Sequence, residues 1–459
     1  MSILASFLVP HPPLIIPNIG KGSEKQVSKT ISAYKEIAKQ VASLNTETII
    51  ISSPHAPVYS DCFYISNSQT LTGNLANFGA KEISFTEEVD TKLVDEITEL
   101  SKKHHFPVYK DIPSVPLDHG TIIPLYFIRK ELPKSSIIVL GLSTLPLITN
   151  YQMGTIIKEA VNNLNRNVVY IASGDLSHKL QEYGPYGFAT EGPIYDKKIM
   201  DICRTSNFYE LLNFKSSFLE KAAECGHRSF TIMAGCFDGQ EIESQELSHE
   251  DITGVGYGVC SFYPKETNSN RQFLKKYLQE ESLRLEKIKK SSDSYVNLAF
   301  ESLKYYFDTK QKMSIPPNLP EEMLTNKAGV FVSLYKFDTL RGCIGTILPT
   351  TNTIAEEIIN NSLSAALNDY RFPPLTKEEL KWLNISVYIL KEPEPISSLD
   401  MLDVHKYGII VTHGLKRGVL LPDLDGIDTI KKQIAIAKEK ASIKPNEDCK
   451  IERFEVIKH

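Results

Sequence analysis

Several hallmarks of whole protein classes are missing from this chain. Its seven cysteines, at positions 62, 203, 225, 236, 260, 343 and 449, are odd in number, scattered and without a CxxC pair. That excludes a recognisable disulfide framework or zinc ribbon and leaves reduced, mostly buried thiols as the expectation. No stretch offers the ~18 consecutive apolar residues of a membrane span, and the first residues lack the basic start and small-residue cleavage site of a signal peptide. No membrane partner and a cytoplasmic location are therefore expected. A basic excess is also missing: 51 lysines and arginines stand against 56 aspartates and glutamates, a net charge of -5. Phosphate recognition usually leaves a clear positive balance, so nucleic acid is not an expected partner. There are no internal repeats and no low-complexity segments.

What the chain does have is bulk and alternation. With 459 residues, 42% hydrophobic and 23% charged, it has material for more than one core. Apolar strand-like runs at 3–9, 48–52, 136–142 and 168–172 alternate with helical stretches, the first from about Ser23 to Leu44. This predicts an α/β first domain, residues 1–264, with a largely parallel central sheet. Ile49-Ile-Ile and Ile137-Ile-Val-Leu are apolar on both faces, as central strands between two helix layers require. A last strand is predicted over Thr253–Pro264, ended by its proline. Residues 265–290 read as a polar linker and a charged helix. Residues 291–459 then form a second domain, entered through an N-cap in Ser291-Ser-Asp-Ser294. Its strand runs near 329, 384, 408 and 418, with helices near 353–367 and 429–441, predict an α+β fold.

Three histidines follow strand-like runs directly: His11, His55 and His178. Residues beyond the carboxyl ends of parallel strands converge on one crevice, so these histidines can meet in space. Two imidazoles and one carboxylate are a set that holds non-heme iron while leaving other positions open. His11 and His55 supply the imidazoles, and Glu224, at the mouth of an apolar helix, supplies the candidate carboxylate. His178 is then left for acid/base work, because histidine titrates near neutral pH. His119, in Leu117-Asp-His-Gly, is placed to donate a hydrogen bond to substrate or oxygen. Asp175 reads as a residue that orients His178.

The segments His11-Pro-Pro, Ser53-Pro-His-Ala, Leu117-Asp-His-Gly, Ser173-Gly-Asp-Leu-Ser-His and the glutamate before a Gly-ending helix together resemble the class III extradiol ring-cleavage dioxygenases, the LigB-like family. That resemblance spans nearly the whole first domain. It implies His11, His55 and Glu224 as ligands of Fe(II), His178 as the acid/base, His119 in the pocket and a catechol-like small-molecule substrate. Cys225-Gly-His-Arg228 also resembles the Memo-like branch of the superfamily, which implies Cys225 as the alternative third ligand. A carboxylate suits iron and a thiolate suits copper or zinc, so the choice between these neighbours changes the metal. This second resemblance implies a metal-binding or oxygen-independent protein without ring-cleavage activity.

The second domain resembles the AMMECR family through Leu340-Arg-Gly-Cys-Ile-Gly-Thr346, Ala365-Ala-Leu-Asn-Asp-Tyr-Arg-Phe-Pro-Pro-Leu375 and Arg417-Gly-Val-Leu-Leu-Pro422. Gly342 and Gly345 are expected to permit tight turns around Cys343, with Arg341 binding an anionic group and Cys343 a candidate nucleophile. His405 and His413 are candidates to approach it. The pairing of the two domains resembles the AmmeMemoRadiSam arrangement, which implies a separate radical SAM protein as partner.

Overall fold

The computed structural model describes residues 2–110, 115–424 and 426–459. The chain divides into two compact units, Met1–Leu278 and Gln279–His459. The division falls inside the helix Phe273–Ser291, within the stretch 265–290 expected to connect the domains. No helix among the described residues is long and apolar enough to cross a membrane.

In the first unit six strands form one sheet, in the order Ser136–Gly141, Thr48–Ser53, Val168–Ser173, Ile3–Val9, Tyr257–Thr267, Gln240–Glu250. The first four are parallel, and the last two run antiparallel at one edge. Thr48–Ser53 and Val168–Ser173 are buried at every residue, because helices cover both faces. The helices Ser28–Ser43 and His119–Glu131 pack on each other, with Tyr34 stacked on Phe127 at 4.6 Å. Leu147–Asn163 packs with Thr91–Lys103 and His227–Gly235 in a second layer. Val9 pairs with Ser173 and Ser52 with Ala172. The parallel strands therefore end level with one another, and whatever follows them emerges on a single edge.

Two expectations need correction here. The last strand does not end at Pro264 but runs from Tyr257 to Thr267, with register shifts between Val259 and Cys260 and again beyond the proline. Its partner Gln240–Glu250 was not foreseen, because a polar edge strand lacks the apolar pattern by which strands are recognised.

In the second unit an antiparallel sheet runs Thr339–Gly345, Gly329–Lys336, Leu383–Leu390, Lys450–Lys458, Tyr407–His413, Lys416–Leu420. Helices Ser294–Thr309 and Ile354–Leu367 bury Leu298, Leu303 and Ile358 against Val330, Val332 and Val387. Asp293 caps the first of them by accepting from the amides of Tyr295 and Val296. A smaller core joins Ile409, Val411 and Leu420 to Ala437 of the helix Ile430–Lys440.

Candidate metal centre

His11, His55 and Asp175 lie just past the ends of Ile3–Val9, Thr48–Ser53 and Val168–Ser173. His119 joins them as the first residue of the helix His119–Glu131, whose N-cap is Asp118. The Asp118 carboxylate accepts from the Thr121 amide at 3.1 Å and from Ser53 Oγ at 2.6 Å. One side chain thus starts the helix and ties it to the loop carrying His55.

Nε2 of His55 lies 3.0 Å from Nε2 of His11, and the ligand atoms of His11, His55 and His119 all fall within 4.8 Å of one another. The tautomer of His11 follows from its neighbours. Ser173 Oγ donates its only proton to the carbonyl of Gly120 at 2.6 Å, so it must accept from His11 Nδ1 at 2.9 Å. Nε2 of His11 therefore carries the lone pair and presents it to the cluster. Burial first, and then the neighbouring His11 and His119 imidazoles, pull the pKa of His55 down to about 4. Burial and His11 do the same to His119, also to about 4. Both rings are neutral at physiological pH, the form that binds metal.

His11 also belongs to a second group of donors, with Asp175 and Cys225, again within 4.8 Å. Cys225 Sγ is 3.7 Å from His11 Nε2 and accepts from the Asp175 amide at 3.2 Å. The main-chain NH of His11 donates to Asp175 Oδ1 at 2.8 Å. Burial would raise the Asp175 pKa, but His11, His178 and these donors hold it below the usual carboxylate range. Burial, with the nearby Asp175 and Glu224 charges, pushes the Cys225 thiol well up.

Glu224 is not part of either group. Its Oε2 accepts from the main-chain NH of His227 at 2.6 Å, at the start of the helix His227–Gly235. The reason is local backbone geometry: Glu224 pairs with Ser177 in an isolated antiparallel bridge, between Ala223 in the left-handed region and the helix start at Gly226, so the side chains of 224 and 225 point different ways. Cys225 faces His11 and Glu224 faces the helix start. A Cβ on Gly174 would come within 2.1 Å of the Gly226 Cα, so this approach of the two loops requires glycine.

His178 lies beside the cluster, outside both metal-ligand groups. Its Nδ1 donates to the Ala223 carbonyl, and its Nε2 faces Asp175 Oδ2 at 3.7 Å. Burial lowers its pKa, but Asp175 and the carbonyl more than offset this, and the net direction is upward. The imidazolium is thus favoured above the ordinary histidine range. Two aromatics that the sequence did not single out flank the cluster. Phe78, 38% exposed, meets His119 edge-on with centroids 5.0 Å apart, and Tyr186, 60% exposed, lies 5.1 Å from the His178 ring. Partly exposed rings beside a histidine cluster of which only His11 is buried are the available signal, and exposure cannot be read from sequence.

In the second unit the expectations around Cys343 change. Gly342 and Gly345 do not form turns. They lie in the strand Thr339–Gly345, where a Cβ on Gly342 would strike the Ala365 carbonyl at 2.2 Å. Arg341 is engaged rather than open to an anion: its Nε and Nη2 bind both oxygens of Glu379 at 3.0 and 2.9 Å, and its Nη1 donates to the Pro373 carbonyl at 2.9 Å. Cys343 stands opposite Ser333, whose hydroxyl donates to Sγ at 3.2 Å. The outer edge of its strand is closed by side chains: the Cys343 amide donates to Asp369 Oδ2 at 2.9 Å, and Arg371 donates to its carbonyl at 3.1 Å. His405 and His413 bond elsewhere, to Asp423 and to the Asp448 carbonyl.

The comparisons with known proteins agree with this division. Residues 5–260 match the family described as the catalytic LigB subunit of aromatic ring-opening dioxygenase, and residues 296–459 match AMMECR1. The chain belongs to the LigB family through its first unit, fused to a C-terminal AMMECR1 domain. A Clostridium acetobutylicum protein is 39% identical over 468 aligned residues, covering 100% of this chain and 99% of its own length, so it shares the whole layout. A Thermotoga maritima protein is 43% identical over 167 residues, covering 36% of this chain and 96% of its own. Among solved structures, an uncharacterized Escherichia coli K12 protein superposes with a TM-score of 0.40 at 14% identity, covering 56% of this chain and 99% of that one.

Proposed function

We propose that the first unit is a metal-dependent site for a small aromatic molecule, in which His11, His55 and Cys225 hold copper or zinc, with His119 beside them. The observation that carries this reading is the direction of two neighbours: Cys225 Sγ is 3.7 Å from His11 Nε2, while Glu224 bonds to the His227 amide. Two of the three donor pairs fit such an ion, those that His11 makes with His55 and with Cys225; His55 and Cys225 belong to separate groups of ligand atoms that share His11. Ligand pairs on a tetrahedral ion with bonds of roughly 2.0–2.3 Å are about 3.3–3.8 Å apart, near the 3.0 and 3.7 Å separations from His11. Imidazole with thiolate suits borderline and soft metals.

A bound ion would supply Lewis-acid chemistry and, if redox-active, electron transfer. The chain's own residues do the rest. Phe78 and Tyr186 flank a planar ring, and His178 exchanges a proton at Nε2. Asp175 stabilises the imidazolium, and the Ala223 carbonyl keeps Nδ1 protonated so that only Nε2 carries the traffic. The fused AMMECR1 domain supports a separate radical SAM protein as the functional partner.

A second reading, Fe(II)-dependent ring opening, is favoured by the family match and by the buried Asp175 carboxylate beside His11. Anaerobic purification followed by metal analysis of wild type, His11→Ala, Cys225→Ala and Glu224→Ala separates the two. The first reading expects metal to be lost in the His11 and Cys225 variants and kept in the Glu224 variant. Iron retained in Cys225→Ala, with oxygen uptake on catechols, would overturn it.

A further inference from the structure

Away from the histidine cluster, the first unit carries a cavity of about 450 Å³. It lies among the helix Glu191–Thr205, the turn Phe208–Asn213 and the helix Ser216–Ala222. Small-molecule sites generally measure ~300–1,000 Å³, so this one is large enough for a ligand. Its apolar wall comprises Ile202, Phe214 and Phe218, with the two rings 5.9 Å apart.

Lys198 and Lys215 line the same cavity, and the Lys198 ammonium lies 5.7 and 5.6 Å from the two ring centroids. Among the described residues neither lysine is ion-paired, whereas one of the two acidic residues of the rim, Asp201, is. Asp201 is ion-paired with Lys197 at 2.6 Å and with Arg204, whereas Glu210 accepts only from the neutral Asn213 amide at 3.3 Å. The cavity therefore joins an aromatic wall to two lysines without ion pairs and one carboxylate, Glu210, also without one, which leaves a single net positive charge. A neutral apolar ligand would leave that charge unused, and a bare inorganic anion would leave the rings unused.

We propose that this cavity is a second ligand site, taking a monocarboxylate with an apolar body. The body lies against Ile202, Phe214 and Phe218, and the carboxylate is held by Lys198 and Lys215. The site is distinct from the histidine cluster and does not depend on the metal. The two are nonetheless neighbours in structure. The Phe214 ring is 4.7 Å from the buried His227 ring, and the His227 amide is the group that holds Glu224 beside Cys225.

The test is calorimetric titration of the full-length chain with octanoate and, as an uncharged counterpart, 1-octanol. Octanoate is expected to bind saturably with a dissociation constant on the order of 0.1–1 mM, and octanol about tenfold more weakly. The Lys198→Gln/Lys215→Gln double variant is expected to lose about tenfold in octanoate affinity and to keep its affinity for octanol. Phe218→Asp, at a half-buried surface position where circular dichroism checks folding, is expected to abolish binding of both. Equal affinity for octanoate and octanol, octanoate binding that survives Phe218→Asp in a folded variant, or no saturation up to about 10 mM would each overturn the proposal.

Discussion

Cys225 Sγ stands 3.7 Å from His11 Nε2, while the carboxylate of Glu224, one residue earlier, accepts the His227 amide at 2.6 Å on the other side of the backbone. Neighbouring residues with nearly equal claims on a metal are thereby given different work. One meets the imidazole cluster and the other starts a helix.

Glu224→Ala is accordingly expected to act on stability. Loss of a capping acceptor at a helix start costs ~1 kcal/mol, with the buried amide of His227 left unpaired. Chemical denaturation should read this as a lower midpoint with unchanged slope. An unchanged midpoint would show that the cap contributes nothing.

Gly174→Ala is expected to separate the Asp175 and Cys225 loops, because the added Cβ would lie within 2.1 Å of the Gly226 Cα. Backbone cannot yield as a flexible side chain can, so a cost of about 1–3 kcal/mol follows from overpacking. Metal affinity should fall with it. Equilibrium denaturation and competitive metal titration measure the two effects on the same sample.

The acid limb of stability in the second unit is expected to depend on Glu379, which Arg341, Lys336 and the Thr376 amide surround at 2.9–3.0 Å. Burial would raise its pKa, but Arg341 and Lys336 bring it down to about 2. A depressed folded pKa means that the contribution is fully present above the unfolded value of ~4.3 and is lost as pH falls toward 2. The amount is on the order of 2–3 kcal/mol. Fluorescence of Trp382, the chain's sole tryptophan, reports it. Glu379→Gln should flatten the stability profile between pH 4 and 2 and lower the plateau above it.

Asp369→Ala is expected to open the strand edge at Cys343. It leaves the Cys343 amide and the Arg371 guanidinium without their carboxylate, at a cost of about 1–3 kcal/mol. Local opening of that size raises the modification rate of the Cys343 thiol about tenfold or more. Mass spectrometry after brief alkylation identifies the labelled cysteine, and an unchanged rate at Cys343 would exclude the clamp.

Much of the frame is legible in the linear sequence. Runs such as Ile49-Ile-Ile and Val168-Val-Tyr-Ile have to be central strands, because only a sheet covered on both faces buries continuous apolar sequence. Parallel strands end on one edge, so His11 and His55 are expected on the same edge of the sheet; their 3.0 Å approach across the intervening strand Val168–Ser173 is a tertiary result. The charged strands Gln240–Glu250 and Lys450–Lys458 were not legible in this way. Backbone pairing with a neighbour that is distant in sequence holds them, and that leaves little pattern in their side chains.

The sequence by itself determined which residue types could hold a metal and on which edge of the first sheet they would gather. Only the tertiary structure decided which of Glu224 and Cys225 faces His11. Adjacent side chains leave the backbone in different directions. The side that faces inward is set by the Ser177–Glu224 bridge and the contact of Gly174 with Gly226, both made between segments about fifty residues apart.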